Sequence, residues 1–281
     1  MLIYLFVYFF VFVLCVFKLN KKYTFLAVNT SFIILLFFSI FRLNVGVDYL
    51  NYVNFFDNDL LYRFEPFTVF LLQIDNLFFE SRYFFFFGIH ALITLIGVFI
   101  FINNFSEDKT LSIFLFFTIA IFYLSTFNLV RQWAAIGLFL YSIVLLKNNK
   151  RLKAYLVVFC MVFVHYSSIF IIPFLFILKY RLSFGKVILI FSSVFILSSI
   201  ILWILLKSPI GFYLNDYVGE FELNFSFLFF IIFNLFVIFY FKYFTKKKLS
   251  ETMTIILNFS LCTLLICTIG YVLNLEFRML N

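Results

Sequence analysis

Charged residues are scarce in this chain: only 12% of its 281 residues are Asp, Glu, Lys or Arg, whereas 65% are hydrophobic and the mean hydropathy is +1.14. No soluble core could bury so much apolar surface, which excludes a soluble globular protein. The sequence therefore predicts an all-α polytopic integral membrane protein. Only three Pro and eight Gly residues are present, so no Pro- or Gly-rich linker divides the chain. We expect a single transmembrane helical domain over residues 1–281.

Cysteine and histidine are rare as well, with four Cys and two His residues. The cysteines all fall inside apolar segments, where they behave as small hydrophobic residues: Cys15, Cys160, Cys262 and Cys267. This pattern predicts neither a disulfide framework nor a zinc site. The chain also lacks a Walker loop, a dinucleotide-binding glycine pattern and a serine nucleophile elbow, which argues against an ATP-driven pump or a membrane hydrolase of those types. We expect no metal and no cofactor.

Phenylalanine, by contrast, is abundant, with 51 residues. We interpret the Phe runs as lipid-facing filler produced by an AT-rich gene, and not as aromatic binding sites. The net charge of +8 would suggest a nucleic-acid partner for a soluble domain. Here the Lys residues cluster in short loops, as they do in the cytoplasmic loops of membrane proteins, so we expect no nucleic-acid partner.

A helix needs roughly 17 to 25 apolar residues to cross a bilayer. The candidate spans are residues 2–17, 25–41, 83–102, 111–127, 132–146, 187–206, 225–241 and 252–273. The first span meets Lys18 without a small-residue cleavage site, so we expect a membrane helix and not a signal peptide. The apolar run over residues 111–146 is too long for one span, which predicts a turn near Asn128 to Gln132.

Two other apolar regions are too short or too interrupted to span by themselves. Residues 67–79 carry apolar side chains at helical spacing around Asp75 and predict an external amphipathic helix. Residues 154–164 and 167–178 predict a helical hairpin with His165 at its tip, the alternative being one long span with His165 in its middle. In total we expect about 10 membrane-embedded helical segments.

The distribution of basic residues sets the orientation, because cytoplasmic loops collect Lys and Arg. With the helices above, 15 of the 21 basic residues fall on one face, which we take as cytoplasmic. The opposite face keeps six basic residues, five of them Arg, and ten of the 13 acidic residues. Its longest segments are residues 42–82 and 207–224. We expect the chemistry on this external face.

The segment from Arg42 to Tyr52 places a cation, the turn-forming Gly46 and the carboxylate of Asp48 at the end of an apolar segment. Arg131 stands at the predicted outer end of another helix and is followed by small residues. A planar guanidinium is suited to gripping phosphate oxygens in pairs. The alternative for both arginines is an interfacial anchor without a ligand.

Three other positions carry candidate chemistry. His165, flanked by hydroxyl side chains, could act as a general base, although a structural His is more common, and His90 is interpreted as structural. Glu65 precedes Pro66 and indicates a helix start, with a catalytic acid or base as the alternative. The pair Asp57 and Asp59 matches a metal-binding pattern too short to be specific, and we interpret it as a solvated loop.

Taken together and in this order, the motifs resemble the EpsG-like family of Wzy-type polysaccharide polymerases from about residue 25 to the end of the chain. They are Arg42-x-x-Val-Gly-x-Asp48-Tyr-x-x-Tyr52, Glu65-Pro66, Arg131-Gln-x-x-Ala, Phe163-Val-His165-Tyr-Ser and Glu276-Phe-Arg278. Family members usually continue through further helices after the position of Arg278, whereas this chain ends at Asn281. We therefore expect either a truncated frame or a different closure.

The resemblance implies a metal-independent glycosyltransferase of the bacterial inner membrane. Such an enzyme transfers a growing O-antigen or capsule glycan from undecaprenyl diphosphate to a lipid-linked repeat unit on the periplasmic or exterior face. Membrane lipid and a chain-length regulator protein are further expected partners. The implied diphosphate-binding residues are Arg42, Arg131 and Arg278. His165 or Glu65 would take the acceptor proton.

Asp48 is the third expected catalytic residue and would orient Arg42 or a sugar hydroxyl. Three other functions are alternatives. An O-antigen ligase shares the donor chemistry but usually has a larger external loop. A lipid-linked oligosaccharide flippase should carry charges or broken helices at mid-membrane, and here nearly every charge is predicted at a surface. A non-enzymatic assembly scaffold would tolerate the loss of any single Arg.

Overall fold

The computed structural model describes part of the chain. The described residues are 9, 12–13, 21–42, 45–46, 49–57, 64–78, 83–119, 122–172, 175, 178, 186, 189, 193, 254–255 and 257–258. The chain forms two compact units, Met1–Leu175 and Phe176–Asn281. In the second unit the buried Asn258 donates a hydrogen bond from Nδ2 to the Leu178 carbonyl, at 2.9 Å. All elements below belong to the first unit.

Every regular element in the described part of the chain is helical, which agrees with the all-α prediction. The α-helices, in order, are α1 Lys21–Ile40, α2 Tyr49–Asp57, α3 Pro66–Phe78, α4 Phe84–Phe105, α5 Lys109–Thr118, α6 Val130–Lys147 and α7 Arg151–Val164. Two 3-10 helices, Leu124–Phe127 and Tyr166–Ile171, precede α6 and follow α7.

Within the described residues, α4 and α6 are the two helices long and apolar enough to cross a membrane. They match the predicted spans 83–102 and 132–146. The predicted number of about 10 embedded segments stays a prediction, because the candidate spans 2–17, 187–206, 225–241 and 252–273 lie mostly outside the described residues. The external segment 207–224 also lies outside the described residues. The prediction of a single domain stays a prediction.

Helices α4 and α6 cross at a contact made by two glycines. A Cβ atom built on Gly97 would lie 2.1 Å from the Gly137 carbonyl oxygen, and one on Gly137 would lie 2.6 Å from that of Ile93. Small residues let helix backbones approach closely, which is how apolar helices associate in lipid. This crossing fixes the N-terminal end of α6, where Arg131 lies, relative to α4.

The predicted span 111–127 differs from the structure. Helix α5 ends at Thr118, and the chain turns back so that the Tyr123 amide donates to the Phe116 carbonyl at 3.1 Å. The buried Tyr123 hydroxyl donates to the Leu35 carbonyl of α1 at 2.8 Å. The helix therefore ends several residues before the predicted turn near Asn128 to Gln132. Asn128 lies in the non-α segment that precedes α6.

Helices α6 and α7 are joined by a tight turn. Asn149 has a left-handed φ of 60°, and the amides of Asn149 and Lys150 donate to the carbonyls of Leu146 and Leu145, at 3.0 and 2.9 Å. This is the Schellman pattern, which ends a helix with a residue of positive φ. Because the link is short, α7 packs beside α6 and ends near its N-terminal end.

Helix α3 confirms the helix predicted over 67–79 but buries a different face. Thr68, Leu71, Leu72 and Asp75 are buried, while Phe70 and the C-terminal apolar residues are exposed. Asp75 was expected on the external surface. Instead its carboxylate accepts hydrogen bonds from the amides of Phe85 and Phe86 at the start of α4, at 3.0 and 2.6 Å. Free amides at a helix N-terminus favour such a carboxylate.

Candidate functional site

Glu65 begins helix α3 and lies inside the protein. Its carbonyl accepts the Val69 amide at 3.1 Å, and Pro66 occupies the first helical position, where a missing amide hydrogen costs nothing. The predicted helix start is therefore confirmed. The side chain of Glu65 is only 3% exposed, and a carboxylate so deeply buried requires charged or hydrogen-bonding partners.

Those partners come from two distant parts of the chain. The Oε1 atom of Glu65 lies 3.0 Å from Nδ1 of His165 and accepts the Tyr166 amide at 3.3 Å. The Oε2 atom accepts a hydrogen bond from Nη1 of Arg131 in a salt bridge. The carboxylate thus joins the start of α6 to the break after α7.

The environment of Glu65 favours its ionised form. Burial raises the pKa of this carboxyl group, but the hydrogen bond with His165 and the charge of Arg131 outweigh it and lower the pKa from 4.5 to about 2. Glu65 is therefore a carboxylate at any physiological pH. So weak a base is poorly suited to removing a proton from a sugar hydroxyl.

His165 occupies the break in the helical chain that the sequence predicts. Helix α7 ends at Val164, His165 is extended with φ −155° and ψ 112°, and a 3-10 helix follows. This excludes a continuous helix through His165. The second arm of the predicted hairpin lies largely outside the described residues.

The hydrogen bond to Glu65 also fixes the proton on the imidazole. A carboxylate can only accept, so Nδ1 of His165 carries the hydrogen in this pair. In the neutral imidazole, Nε2 then holds the lone pair. Since the side chain is 18% exposed, a ligand can reach it. A carboxylate that binds one imidazole nitrogen and leaves the other able to accept a proton is an arrangement that general bases use.

Arg131 is the second residue of α6, and its guanidinium is held on several sides. Nη1 donates to Glu65, and Nε donates to the Tyr52 hydroxyl at 3.3 Å. The guanidinium carbon lies 4.9 Å from the ring centre of Phe64 and 5.7 Å from that of Tyr52. The side chain is 23% exposed, so part of its edge remains accessible. Arg131 is therefore held by protein side chains, and its role as a diphosphate ligand stays a prediction.

Arg42 also lies among aromatic rings. Its guanidinium carbon lies 4.4 Å from the ring centre of Phe87 and 5.0 Å from that of Phe127, and the residue is 7% exposed. Cation–π contacts of this kind stabilise a guanidinium away from water. Arg42 is thus more enclosed than Arg131, and its role as a diphosphate ligand stays a prediction.

Gly46 forms a turn between α1 and α2. Its φ is +105°, and a Cβ atom there would lie 2.5 Å from the Phe127 carbonyl oxygen. The Gly46 carbonyl accepts the Tyr49 amide at 3.2 Å, so the turn leads directly into α2. Only glycine combines this φ with so close a backbone contact. The turn holds α2, and with it Tyr52, against the start of α6.

Of the predicted site residues, the structure brings together Glu65, Arg131 and His165. Asp48 and Arg278 lie outside the described residues, as does Asp59. His90 is fully buried in α4, where its Nδ1 atom lies 2.8 Å from the Phe86 carbonyl oxygen, as expected of a structural His. No group of three or more His, Cys, Asp or Glu that could hold a metal occurs among the residues described.

Sequence reasoning missed two aspects of the site. Tyr52 was not expected to contact Arg131, and its only signal was its place in the motif that begins at Arg42. The interpretation of the Phe residues as lipid-facing filler is wrong for Phe64 and Phe87, since these rings are buried and flank Arg131 and Arg42.

A comparison with models of protein families matches residues 25–280 to the EpsG family. The chain belongs to the EpsG family. The match covers Glu65, Arg131 and His165 and confirms the resemblance inferred from the motifs. Neither the curated proteins nor the solved structures give a match. EpsG-family membership suggests a polysaccharide polymerase-type function on lipid-linked substrates, and together with the apolar helices it is consistent with a membrane protein.

Proposed function

We propose that this EpsG-family chain is a polysaccharide polymerase of the bacterial inner membrane. It joins O-antigen or capsule repeat units by transferring a glycan from undecaprenyl diphosphate to a second lipid-linked repeat unit on the external face. The observation that carries the proposal is the carboxylate of Glu65, shared between a candidate base, His165, and a candidate diphosphate ligand, Arg131. Glycosyl transfer from a diphosphate requires both of these functions.

The reaction proceeds by one displacement at the anomeric carbon of the donor glycan. The acceptor hydroxyl oxygen forms the new bond to that carbon while the bond from carbon to diphosphate oxygen breaks. The bonding electrons leave with the diphosphate, and the hydroxyl proton passes to Nε2 of His165. The imidazolium formed is stabilised by the Glu65 carboxylate on Nδ1. His165 then returns the proton to water.

Arg131 acts on the leaving group. Negative charge increases on the diphosphate oxygen that is released from the anomeric carbon, and a guanidinium edge placed there stabilises the transition state more than the ground state. Glu65 neutralises part of the Arg131 charge, so further cations are required for a diphosphate. We assign Arg42 and Arg278 to this function and Asp48 to the orientation of Arg42 or of a sugar hydroxyl.

His165, and not Glu65, is the base in this proposal. A carboxyl group with a pKa of about 2 is held ionised by its two partners and serves to orient them. The reaction requires no metal ion when cationic side chains neutralise the diphosphate. A chain-length regulator protein is a proposed partner, since a polymerase alone sets no upper length.

Deletion of the gene tests the proposed function. We expect the ladder of long glycan chains to disappear, while lipid carrying a single repeat unit remains. Complementation with the wild-type gene restores the ladder. An unchanged ladder in the deletion strain would contradict the polymerase assignment.

The deletion separates the ligase and the flippase from the polymerase, and single substitutions separate the scaffold. Loss of a ligase leaves long chains on undecaprenyl diphosphate that never reach their final acceptor. Loss of a flippase leaves no repeat unit at the external surface. A scaffold without catalytic residues would still support the ladder after substitution of Arg131 or His165 alone.

A further inference from the structure

The Tyr52 hydroxyl accepts the Nε hydrogen of Arg131 at 3.3 Å, between residues 79 positions apart in the chain. This contact lies on the side of the guanidinium away from the salt bridge, which uses Nη1. Two hydrogen bonds from different atoms of one planar group fix both its position and its plane. Among the described residues, the hydrogen bonds of Arg131 are made by Nε and Nη1, so Nη2 remains as a donor for a ligand.

Tyr52 is itself held rigidly. It is 7% exposed, and its ring centre lies 5.5 Å from that of Phe86 and 6.1 Å from those of Phe64 and Phe87. Aromatic contacts on several sides leave the ring few orientations. The hydroxyl oxygen is therefore a fixed acceptor and does not simply follow Arg131.

We propose that Tyr52 is a positioning residue for the glycosyl transfer. Its hydroxyl fixes the plane of the Arg131 guanidinium so that the Nη2 edge meets the oxygens of the donor diphosphate. The inference rests on the proposed function of Arg131 and extends it to a residue that does not touch the substrate. The turn at Gly46 contributes to this positioning, because it leads into α2, from which Tyr52 contacts Arg131.

The test is a comparison of two tyrosine substitutions in the same helix. Tyr52→Phe keeps the ring and its aromatic contacts and removes only the acceptor oxygen. Tyr49→Phe is the control, because the Tyr49 ring also stacks on Phe87, at 5.1 Å, and its hydroxyl makes no hydrogen bond to any described residue. Each purified variant receives lipid-linked single repeat units extracted from the deletion strain, and two-repeat lipid is measured by mass spectrometry.

We expect Tyr52→Phe to lower the initial rate roughly 10-fold or more, as for loss of one hydrogen bond from a charged donor, and Tyr49→Phe to leave it unchanged. Both variants should accumulate normally in the membrane. Equal rates for the two variants would overturn the inference.

A double-mutant cycle shows whether Tyr52 acts through Arg131. Lysine has no Nε hydrogen to donate at this position, so Tyr52→Phe should cause no further loss in the Arg131→Lys background. The same fold-loss in both backgrounds would show that the hydroxyl acts independently and would overturn the inference. Failure of wild-type protein to form any two-repeat lipid would overturn the proposed function itself, and this inference with it.

Discussion

The Oε1 atom of Glu65 lies 3.0 Å from Nδ1 of His165, although 100 residues separate them in the chain. The same carboxylate bonds Arg131 through its second oxygen. The buried carboxylate of Glu65 therefore holds the His165 imidazole and the Arg131 guanidinium in fixed positions relative to each other.

Replacing Glu65 with Gln should abolish most of the polymerase activity, although the side chain keeps nearly the same size. The amide removes the charge that stabilises the imidazolium and breaks the salt bridge to Arg131. We expect a fall of roughly 100-fold in the rate of two-repeat lipid formation. The control is Glu107→Gln, which changes an exposed acid between α4 and α5 and should retain full activity. A Glu65→Gln variant with near-normal activity would remove Glu65 from the site.

The stability of the protein should depend on pH through Glu65. Because its pKa is lowered from 4.5 to about 2 in the folded protein, its contribution is fully present above about pH 4.5 and is lost as the pH falls towards 2. A difference of this size corresponds to roughly 3 kcal/mol. We expect the thermal midpoint in detergent to fall between pH 5 and 3, and to fall less in Glu65→Gln. Parallel curves for both proteins would contradict the burial and pairing of this carboxylate.

The crossing of α4 and α6 should not accept a side chain. In Gly137→Ala the added Cβ would lie 2.6 Å from the Ile93 carbonyl oxygen and 2.8 Å from the Thr94 Cα. Overpacking of this kind costs about 1–3 kcal/mol, so a lower thermal midpoint is expected. Gly88→Ala is the matched control in α4, since its Cβ would meet its nearest neighbour, Ile40 Cγ2, at 3.5 Å. Equal midpoints for the two variants would argue against this crossing.

Arg131→Lys separates binding of the diphosphate from a contribution of charge alone. Lysine keeps the positive charge but loses the planar fork that engages Glu65 and Tyr52 together. Loss of one donor to a developing oxyanion costs roughly 3 kcal/mol of barrier, or about two orders of magnitude in rate. We expect normal accumulation in the membrane and no long chains in the complemented deletion strain. Wild-type chain lengths would assign Arg131 to anchoring at the membrane interface.

The sequence was sufficient where a local signal is strong. Long apolar runs predicted α4 and α6, Pro66 predicted the start of α3, and the polar residues around His165 predicted the helix break. These features depend on neighbours in the chain, namely on hydrophobic length and on a proline at the first helical position.

Features that depend on distant residues were not predictable. The end of α5 has no Gly or Pro that would signal it in the sequence. The turn that follows is held instead by the Tyr123 hydroxyl, which donates to the Leu35 carbonyl of α1. Asp75 has the polar character of a surface residue, yet it caps a helix that begins nine residues later. Tyr52 is one of 17 tyrosines, and only the folded chain brings it to Arg131. For the same reason a single sequence could suggest Glu65 and His165 separately but not as a pair.

The most direct test of the central claim is the stoichiometry of the reaction catalysed by the purified protein. Lipid-linked single repeat units from the deletion strain are supplied without metal ions or any other protein, and both products are quantified by mass spectrometry. We expect one undecaprenyl diphosphate released for every glycosidic bond formed, and neither product when His165 is replaced with Ala. Diphosphate release without longer glycans, or chain growth that persists in His165→Ala, would contradict the account.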